Sequence, residues 1–477
     1  MSFTTSSFFA FCILFFSGYA LLRGRARGVF LLLASCYFYG SWDVRFLALL
    51  LASVLVDFSV GLALARAQGP RRRLVLAISL AFNLGVLGFF KYAGFFVESA
   101  AELLARLGWS VPTPALDIVL PVGISFYTFQ TLAYTVDVYR GRLAPCRDLL
   151  DFALYVMFFP QLVAGPIERP ERLLPQMAAV SRQPWRPNWS GIALIAIGLF
   201  KKIVLADGVH AYANPLSSPG SAYPAALWFA TYAFAFQIYW DFSGYSDIAI
   251  GLARLLGVEL MTNFRAPYAA TGPSDFWRRW HISLSEWLRD YLYVPLGGNR
   301  DGAWRTYRNL FLTMLIGGLW HGAAWHFVLW GAFHGLLLIV ARAVSGRIPL
   351  PSPRWARPLR ALAFFHLTCL AWALFRAPTL EACALAFRKL LLFDGLELGP
   401  WLTHLAELRE LRTIAAWFIA FVAAWLLQVL RPESSKELAE RLWRWPALPR
   451  ALALASLAYL AMLLAPLDPP DFIYFRF

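Results

Sequence analysis

The sequence predicts an all-α protein that crosses a membrane many times, and three observations lead to this fold class. Of its 477 residues, 59% are hydrophobic and only 15% are charged, and the mean hydropathy is +0.56. A soluble protein carries about 25% charged residues, so the charges here are too few to cover a water-exposed surface. The apolar residues also gather in long runs, and about twenty such residues cross a bilayer as a helix. We therefore expect a polytopic fold of about twelve transmembrane helices.

The predicted crossings follow one another along the chain. They cover roughly residues 5–22, 28–41, 46–65, 74–94, 118–138, 189–206, 224–241, 309–321, 323–343, 361–376, 412–430 and 451–466. Two further apolar stretches, 151–165 and 243–257, lie between basic loops, and full crossings there would place arginine-rich loops outside. We expect these two to be re-entrant or interfacial helices. The predicted organisation is one integral membrane domain over residues 1–466 and an extracytoplasmic aromatic tail over 467–477.

The basic residues predict which loops face the cytoplasm. The formal net charge is +15, and in a membrane protein an excess of arginine marks cytoplasmic loops rather than nucleic-acid binding. Arginine clusters follow the first, third and fifth crossings, and the loops 258–308 and 431–450 are also rich in arginine. The rule therefore places these loops inside and both chain termini outside.

His321 is the first candidate for chemistry. It lies between two apolar runs and has Gly317, Gly318 and Gly322 around it. A polar side chain at membrane depth is costly and indicates function, and histidine titrates near neutrality, as a general base should. The glycines would let the backbone break and leave room for a substrate. The alternative is a core histidine that hydrogen-bonds a backbone carbonyl.

Two further histidines follow on the next predicted helix. His326 and His334 could share a cavity with His321. For His334 we favour a packed, hydrogen-bonded core position.

Residues 276–298 alternate tryptophan with arginine. Such a mixture is typical of an amphipathic helix at the headgroup level, with tryptophans at the interface and arginines reaching water. The functional alternative is that Arg278, Arg279 and Arg289 face an anionic donor from the cytoplasm, since the arginine fork suits phosphate.

Two acids, Asp241 and Asp247, lie near membrane depth within residues 237–251. Buried acids need partners, so they could orient a catalytic histidine or pair with an arginine of the following loop; a structural role is favoured. No metal-ligand spacing such as HExxH or paired CxxC occurs in the chain, and no metal is expected.

The tail 468–477 packs four aromatic rings into its last six residues. It could be an aromatic anchor at the membrane surface. Alternatively, Phe472, Phe475 and Phe477 could hold it in a groove and leave the Tyr474 hydroxyl to carry an acyl group.

Six segments in order resemble the MBOAT family, the membrane-bound O-acyltransferases, and in particular its alginate O-acetylation branch. The segments are Phe90-Lys91-Tyr92, residues 121–130, residues 159–167, residues 241–247, residues 276–298 and Trp320-His321-Gly322. Each is weak alone, but the ordered set is specific, and the resemblance runs from the first crossing to the last residue.

The resemblance implies a fold, an activity and site residues. The fold is a membrane-embedded helical one that is thin at its centre, where acyl groups cross. The family's catalytic histidine matches His321, its second polar position matches His281, and the tail resembles the segment in which a tyrosine, here Tyr474, is a proposed acyl carrier. One departure is His326, where the alginate branch commonly has asparagine.

The resemblance also implies donors, acceptors and partners. We expect acetyl-CoA as the acyl donor and no bound cofactor, with Arg278 and Arg279 at the donor site. The acceptor is expected to be an extracellular or cell-envelope polysaccharide, and the partners are periplasmic SGNH-type acetyltransferases and membrane lipid. The expected location is the bacterial inner membrane. Alternatives are D-alanyl or other acyl transfer to an envelope polymer, a polytopic transporter, or a scaffold that recruits periplasmic enzymes.

Overall fold

The computed structural model describes residues 1–109, 112, 116, 118–163, 165–345, 355–393, 411–466, 470 and 472–473. These residues form helices and no strand, as the predicted all-α class requires. The α-helices, in chain order, are α1 (Ser6–Leu21), α2 (Gly24–Gly40), α3 (Val44–Arg66), α4 (Pro70–Leu87), α5 (Ala93–Arg106), α6 (Ile124–Tyr139), α7 (Leu149–Met157), α8 (Phe159–Leu162), α9 (Pro170–Val180), α10 (Ser190–Leu199), α11 (Asp207–Val209), α12 (Pro224–Leu255), α13 (Pro273–Trp277), α14 (Ile282–Leu288), α15 (Ala303–His321), α16 (Trp325–Ser345), α17 (Ala356–Arg376), α18 (Leu380–Leu392), α19 (Leu411–Leu430), α20 (Ser435–Trp443) and α21 (Ala447–Leu463).

Several of these helices are long and apolar enough to cross a membrane. Among the described residues, five helical stretches meet both criteria: Val44–Arg66, Pro70–Arg106, Trp325–Val344, Ala356–Arg376 and Arg412–Leu430. Two shorter apolar helices, α1 and α21, lie near the two ends of the chain. The membrane character is therefore confirmed, and the count of about twelve crossings stays a prediction.

The described residues cluster into two compact units. The first consists of Met1–Ile195 with Ile248–Met261, and the second of Ala196–Asp247 with Thr262–Phe477. The predicted single domain over 1–466, with a separate tail, stays a prediction. The candidate site residues described below all belong to the second unit.

Within the first unit, ion pairs and hydrogen bonds bring three arginine-rich loops together. Arg25 contacts Asp148 at 2.6 Å, which joins the start of α2 to the loop after α6. Arg72 donates to the backbone oxygen of Leu64 at 2.9 Å and of Tyr139 at 2.7 Å, which joins the loop after α3 to the end of α6. These three loops therefore lie at the same end of the unit, as the charge pattern predicts.

The stretch 243–257 differs from its prediction. It is not a separate re-entrant piece, because α12 continues through it without a break for 32 residues. No glycine in this helix has a positive φ, and most of its C-terminal half is buried. Packing against the rest of the protein therefore keeps the chain helical across the polar residues of this stretch. The described part of the stretch 151–165 contains the short buried helices α7 and α8, and its re-entrant or interfacial position stays a prediction.

In the second unit, α15 and α16 form the closest helix pair near His321. Gly318 makes this possible, because a Cβ there would collide with the backbone oxygen of Phe327 and lie 3.0 Å from the Cα of Gly331. The prediction that Gly317 and Gly318 break the backbone is therefore wrong. Both lie within α15, and the helix ends only at Gly322, whose extended conformation follows His321.

The stretch 276–298 is not one interfacial amphipathic helix. It is divided into α13, α14 and a π-helical turn, Arg289–Tyr293, and His281 lies between α13 and α14 with a left-handed φ of 44°. Phe276 and Trp280 are fully buried, so they belong to the core rather than to the membrane interface. Burial of these rings explains why the segment folds back into the unit.

Candidate active site

His281 is fully buried and held by an amide in a loop. Its Nδ1 lies 3.1 Å from the Oδ1 of Asn263, and the Oγ of Ser283 donates to the same oxygen at 2.9 Å. The other end of the Asn263 amide donates to the Oγ of Ser246 at 3.2 Å. Because Asn263 Oδ1 can only accept, Nδ1 of His281 carries the proton, and Nε2 holds the lone pair that can bind a proton.

The backbone supports this arrangement as well. The N–H of Ile282 donates to the carbonyl oxygen of Asn263 at 2.9 Å, and the N–H of Arg265 donates to the carbonyl oxygen of Arg279 at the same distance. The loop 263–265 is thereby tied to the segment 279–282. A left-handed conformation costs a non-glycine residue about 1–2 kcal/mol, and this pairing together with the side-chain bonds holds His281 in it.

His321 ends α15 in an aromatic cage. It is 3% exposed, and its ring centroid lies 5.0 Å from Trp330 and 5.5 Å from Phe375, both at nearly right angles. The ring of His281 is 6.5 Å away. The structure therefore brings together the two histidines that the sequence selected, in a buried and largely apolar surrounding.

Polar atoms without a partner lie next to this pair. The indole N–H groups of Trp330 and Trp277 and both ring nitrogens of His334 are buried, and none forms a hydrogen bond within the described part of the chain. Trp330 lies 4.7 Å from His334 and 5.8 Å from Trp277, ring to ring. Buried donors are nearly always bonded, so these groups are available to polar atoms of a substrate or to ordered water.

The other two predicted histidines have different outcomes. His334 is fully buried and stacks on Phe276, so its predicted core packing is confirmed, but its predicted hydrogen bond does not occur among the described residues. His326 is half-buried and packs on Phe327 with ring centroids 4.1 Å apart. Sharing of the His321 cavity by His326 stays a prediction.

Asp241 and Asp247 each form an ion pair with a lysine of the apolar run 189–206. Lys202 lies 3.1 Å from Asp241, and Lys201 lies 2.8 Å from Asp247. Gly244 lies between the two acids, and a Cβ there would be 2.8 Å from the backbone oxygen of Gly198, so α12 approaches the lysine segment closely. These lysines were not among the predicted partners, and the buried pairs are consistent with the predicted structural role.

The predicted donor arginines differ in their surroundings. Arg279 forms an ion pair with Asp275 at 2.8 Å within its own segment, whereas Arg278 is exposed. Arg278 is thus the freer of the two for an anionic donor. Their role at the donor site stays a prediction.

The tail is described only in part. Phe472 is 2% exposed and stacks on Tyr245 with centroids 4.3 Å apart, so the groove alternative holds for this residue and the surface-anchor alternative does not. Tyr474, Phe475 and Phe477 lie outside the described residues.

Sequence reasoning missed four residues of this site and its surroundings. The sequence does not indicate a role for Asn263 or Trp330, because that role depends on which rings and loops pack beside them in the fold. Lys201 and Lys202 could have been found, since two lysines in the apolar run 189–206 require counter-charges at membrane depth. The two acids of α12 were the available partners.

Comparison with known proteins shows the family to which this chain belongs. A profile described as MBOAT, membrane-bound O-acyltransferase family, matches residues 146–393, slightly more than half of the chain. The chain therefore belongs to the membrane-bound O-acyltransferase family, and its activity is the transfer of an acyl group to oxygen.

The chain is also similar to individual members of this family. The chain is 41% identical to a probable alginate O-acetylase, AlgI, of Azotobacter vinelandii over 428 residues, which are 88% of this chain and 84% of that protein. It is 37% identical to a peptidoglycan O-acetyltransferase of Helicobacter pylori over 82% of this chain and 79% of that protein. A teichoic acid D-alanyltransferase of Bacillus subtilis is 27% identical over 63% of this chain and 82% of that protein.

Proposed function

We propose that this protein moves an acetyl group from a cytoplasmic thioester, acetyl-CoA, across a bacterial inner membrane for O-acetylation of an extracellular or cell-envelope polysaccharide of the alginate type. The observation that carries this proposal is the buried His281–His321 pair, 6.5 Å apart between ring centroids, in a chain of the acyltransferase family. Identity of 41% with an alginate O-acetylase supports the acetyl group and the class of polymer.

In this proposal His321 acts as the general base and His281 supports it. Nε2 of His281 carries the lone pair, because Nδ1 donates to Asn263, and its ring orients and polarises the site beside His321. His321 takes the proton of the acceptor hydroxyl as the oxygen attacks the thioester carbonyl. A C–O bond forms, the C–S bond breaks, and the departing thiolate receives the proton. General base catalysis contributes about 10²–10⁴ in rate.

Trp330 is proposed to stabilise the charge that develops on the carbonyl oxygen. Its indole N–H is buried, has no partner among the described residues and belongs to a ring 5.0 Å from that of His321. A donor that needs no reorganisation is most effective in such an apolar site. The aromatic walls would also exclude the water that otherwise hydrolyses the thioester.

The orientation follows from the charge pattern. With the arginine-rich loops on the cytoplasmic side, both termini are extracytoplasmic and the donor enters from the side of loop 258–308. The ion pair of Arg265 with Glu437 at 2.8 Å supports a common side for loops 258–308 and 431–450. Periplasmic SGNH-type acetyltransferases are the proposed partners that complete transfer to the polymer.

A vesicle experiment tests the proposed donor and its side of entry. Purified protein is placed in vesicles, and a membrane-impermeant acetyl-CoA with a labelled acetyl group is added either outside or inside. We expect labelled product only when the donor meets the face that carries loop 258–308, which protease treatment identifies. Equal use from both faces, or use of a D-alanyl carrier thioester in preference to acetyl-CoA, would contradict this proposal. The second result would favour the D-alanyl alternative, which rests on 27% identity.

Arg278→Glu should raise the KM for acetyl-CoA more than it lowers kcat, because a lost contact to the bound donor weakens ground-state binding. Arg305→Glu is the matched control, since Arg305 is also exposed to water and pairs with Asp301. Initial rates against donor concentration give both constants. An unchanged KM in Arg278→Glu would remove this residue from the donor site.

Tyr474→Phe tests the proposed acyl relay, because it removes only the hydroxyl that would carry the acetyl group. We expect loss of polymer acetylation in cells with donor binding intact. The phenol is a suitable carrier, since its pKa of about 10 makes phenolate a better leaving group than an alkoxide. Full acetylation of the polymer by Tyr474→Phe cells would contradict the relay.

A further inference from the structure

A lysine between two acids is buried in the second unit. The Nζ of Lys202 lies 2.6 Å from an oxygen of Asp207 and 3.1 Å from an oxygen of Asp241. All three side chains are less than 5% exposed. Buried charges persist only when they are paired and hydrogen-bonded, and one ammonium facing two carboxylates leaves acceptor capacity for a further donor.

In the tail segment, the backbone of Ile473 supplies that donor, and the backbone of Pro470 accepts a hydrogen bond from Lys202. The backbone N–H of Ile473 donates to the second oxygen of Asp241 at 2.8 Å. The ammonium of Lys202 donates to the backbone carbonyl of Pro470 at 3.2 Å. Lys202 and Asp241 therefore bind the segment through its main chain at two points, one on each side of Phe472.

Phe472 occupies the space between these two bonds. Its ring stacks on Tyr245 and lies 6.0 Å from Phe242, and Ile473 is also buried. Asp241, Phe242 and Tyr245 lie near the middle of α12, far from either end of that helix. The segment is thus docked deep in the unit, which a surface anchor would not require.

The docked segment lies one ring away from the histidine pair. Phe242 contacts Phe472 on one side and lies edge-on to His281 on the other, with ring centroids 4.7 Å apart. His281 in turn faces His321. A short series of packed rings therefore connects the docked segment to the groups proposed to transfer the acyl group.

We propose that Lys202 and Asp241 form an internal docking site for Pro470, Phe472 and Ile473, and that this site positions these residues beside the histidine pair for acyl transfer. The proposal deepens the proposed function and rests on it, because it takes the pair as the reacting site. Lys202 and Asp241 are positioning residues in this proposal, since they hold main-chain atoms of Pro470 and Ile473. Tyr474 follows Ile473 in the sequence.

Ile473→Pro removes the N–H that Asp241 accepts and leaves every residue of the ion cluster in place. Ile473→Val is the matched control, because it keeps the N–H and most of the apolar side chain. Hydrogen–deuterium exchange of the peptide that covers residues 464–477 reports docking directly, in detergent-solubilised full-length protein. We expect exchange to be about tenfold faster in Ile473→Pro and unchanged in Ile473→Val, because a lost docking bond raises the population of the open segment.

Turnover should follow the same order. We expect kcat of Ile473→Pro to fall by about 10-fold to 100-fold, the effect of misplacing a group by about 1 Å, with the KM for donor unchanged. Unchanged exchange in Ile473→Pro would overturn the docking site. Faster exchange with full turnover would overturn its positioning role and leave the proposed function intact.

A second pair of variants tests the side chains. Asp241→Asn keeps an oxygen that can accept the Ile473 N–H and should retain partial protection, whereas Asp241→Ala should lose it. Asp207→Asn is the control, since Asp207 binds Lys202 and not the segment. If Asp207→Asn loosens the segment as much as Asp241→Ala, the cluster is only structural and the proposal is wrong. These exchange measurements need no acyl transfer, so a failure of the proposed function, shown by an active His321→Ala, is a distinct result.

Discussion

At the scale of single residues, the site depends on side chains whose partners the sequence does not reveal. His321 could be selected from the chain itself, because a histidine at membrane depth is costly, whereas His281 was selected only by its match to a position of the family. The Asn263 amide that sets the tautomer of His281 could not, since residues 263 and 281 meet only through backbone pairing of a loop. The same holds for Trp330, which becomes a candidate donor only because His321 packs against it.

Trp330→Phe should lower kcat by about 10²-fold or more, the usual effect of losing one donor to a developing oxyanion. The substitution keeps an aromatic ring against His321 and removes the indole N–H, so folding should be little affected. Trp325→Phe serves as the control, because Trp325 is half exposed. Steady-state acetyl transfer by the two purified variants measures the effect. If Trp330→Phe turns over at the rate of Trp325→Phe, the N–H takes no part in the reaction.

At the scale of elements, hydrophobic runs predicted where helices lie better than where they end. The prediction of a helix over 224–241 was correct. However, α12 continues through Asp241, Ser243 and Asp247, because lysines and hydroxyl groups of the folded unit bind those polar side chains. For residues 276–298 the predicted helix was too long rather than too short. Their alternation of tryptophan and arginine indicated one interfacial helix, whereas burial of Phe276 and Trp280 folds the segment into two short helices around His281.

Gly318→Ala should destabilise the protein by about 1–3 kcal/mol, the usual cost of overpacking a close contact. The added methyl group would meet the backbone of α16, which cannot move aside as a side chain could. Gly85→Ala is the control, since it also replaces a helical glycine and nothing lies within 4 Å of its added Cβ. Thermal unfolding in detergent should give a lower Tm for Gly318→Ala alone. Equal Tm values for the two variants would mean that α15 and α16 do not pack as closely as described.

At the scale of the whole molecule, composition and charge pattern predicted the membrane class and the grouping of basic loops. Each unit fits that prediction by itself: Arg25 and Arg72 join basic segments within the first unit, and Arg265 joins two basic loops within the second. The docking of segment 470–473 on Lys202 and Asp241 could not be predicted, because it joins residues more than 200 positions apart through main-chain atoms, which carry no sequence signal.

Acetyl transfer by His321→Ala, measured beside His326→Ala, tests whether His321 is the general base. His326 is a half-buried histidine on the next helix, so the two variants separate loss of the proposed general base from loss of any nearby imidazole. Both purified variants are compared with the wild type at equal amounts of folded protein. We predict that His321→Ala retains less than about one hundredth of wild-type turnover and that His326→Ala stays within a few-fold of it. Turnover by His321→Ala above about a tenth of the wild-type rate would contradict the account and make His321 a structural residue.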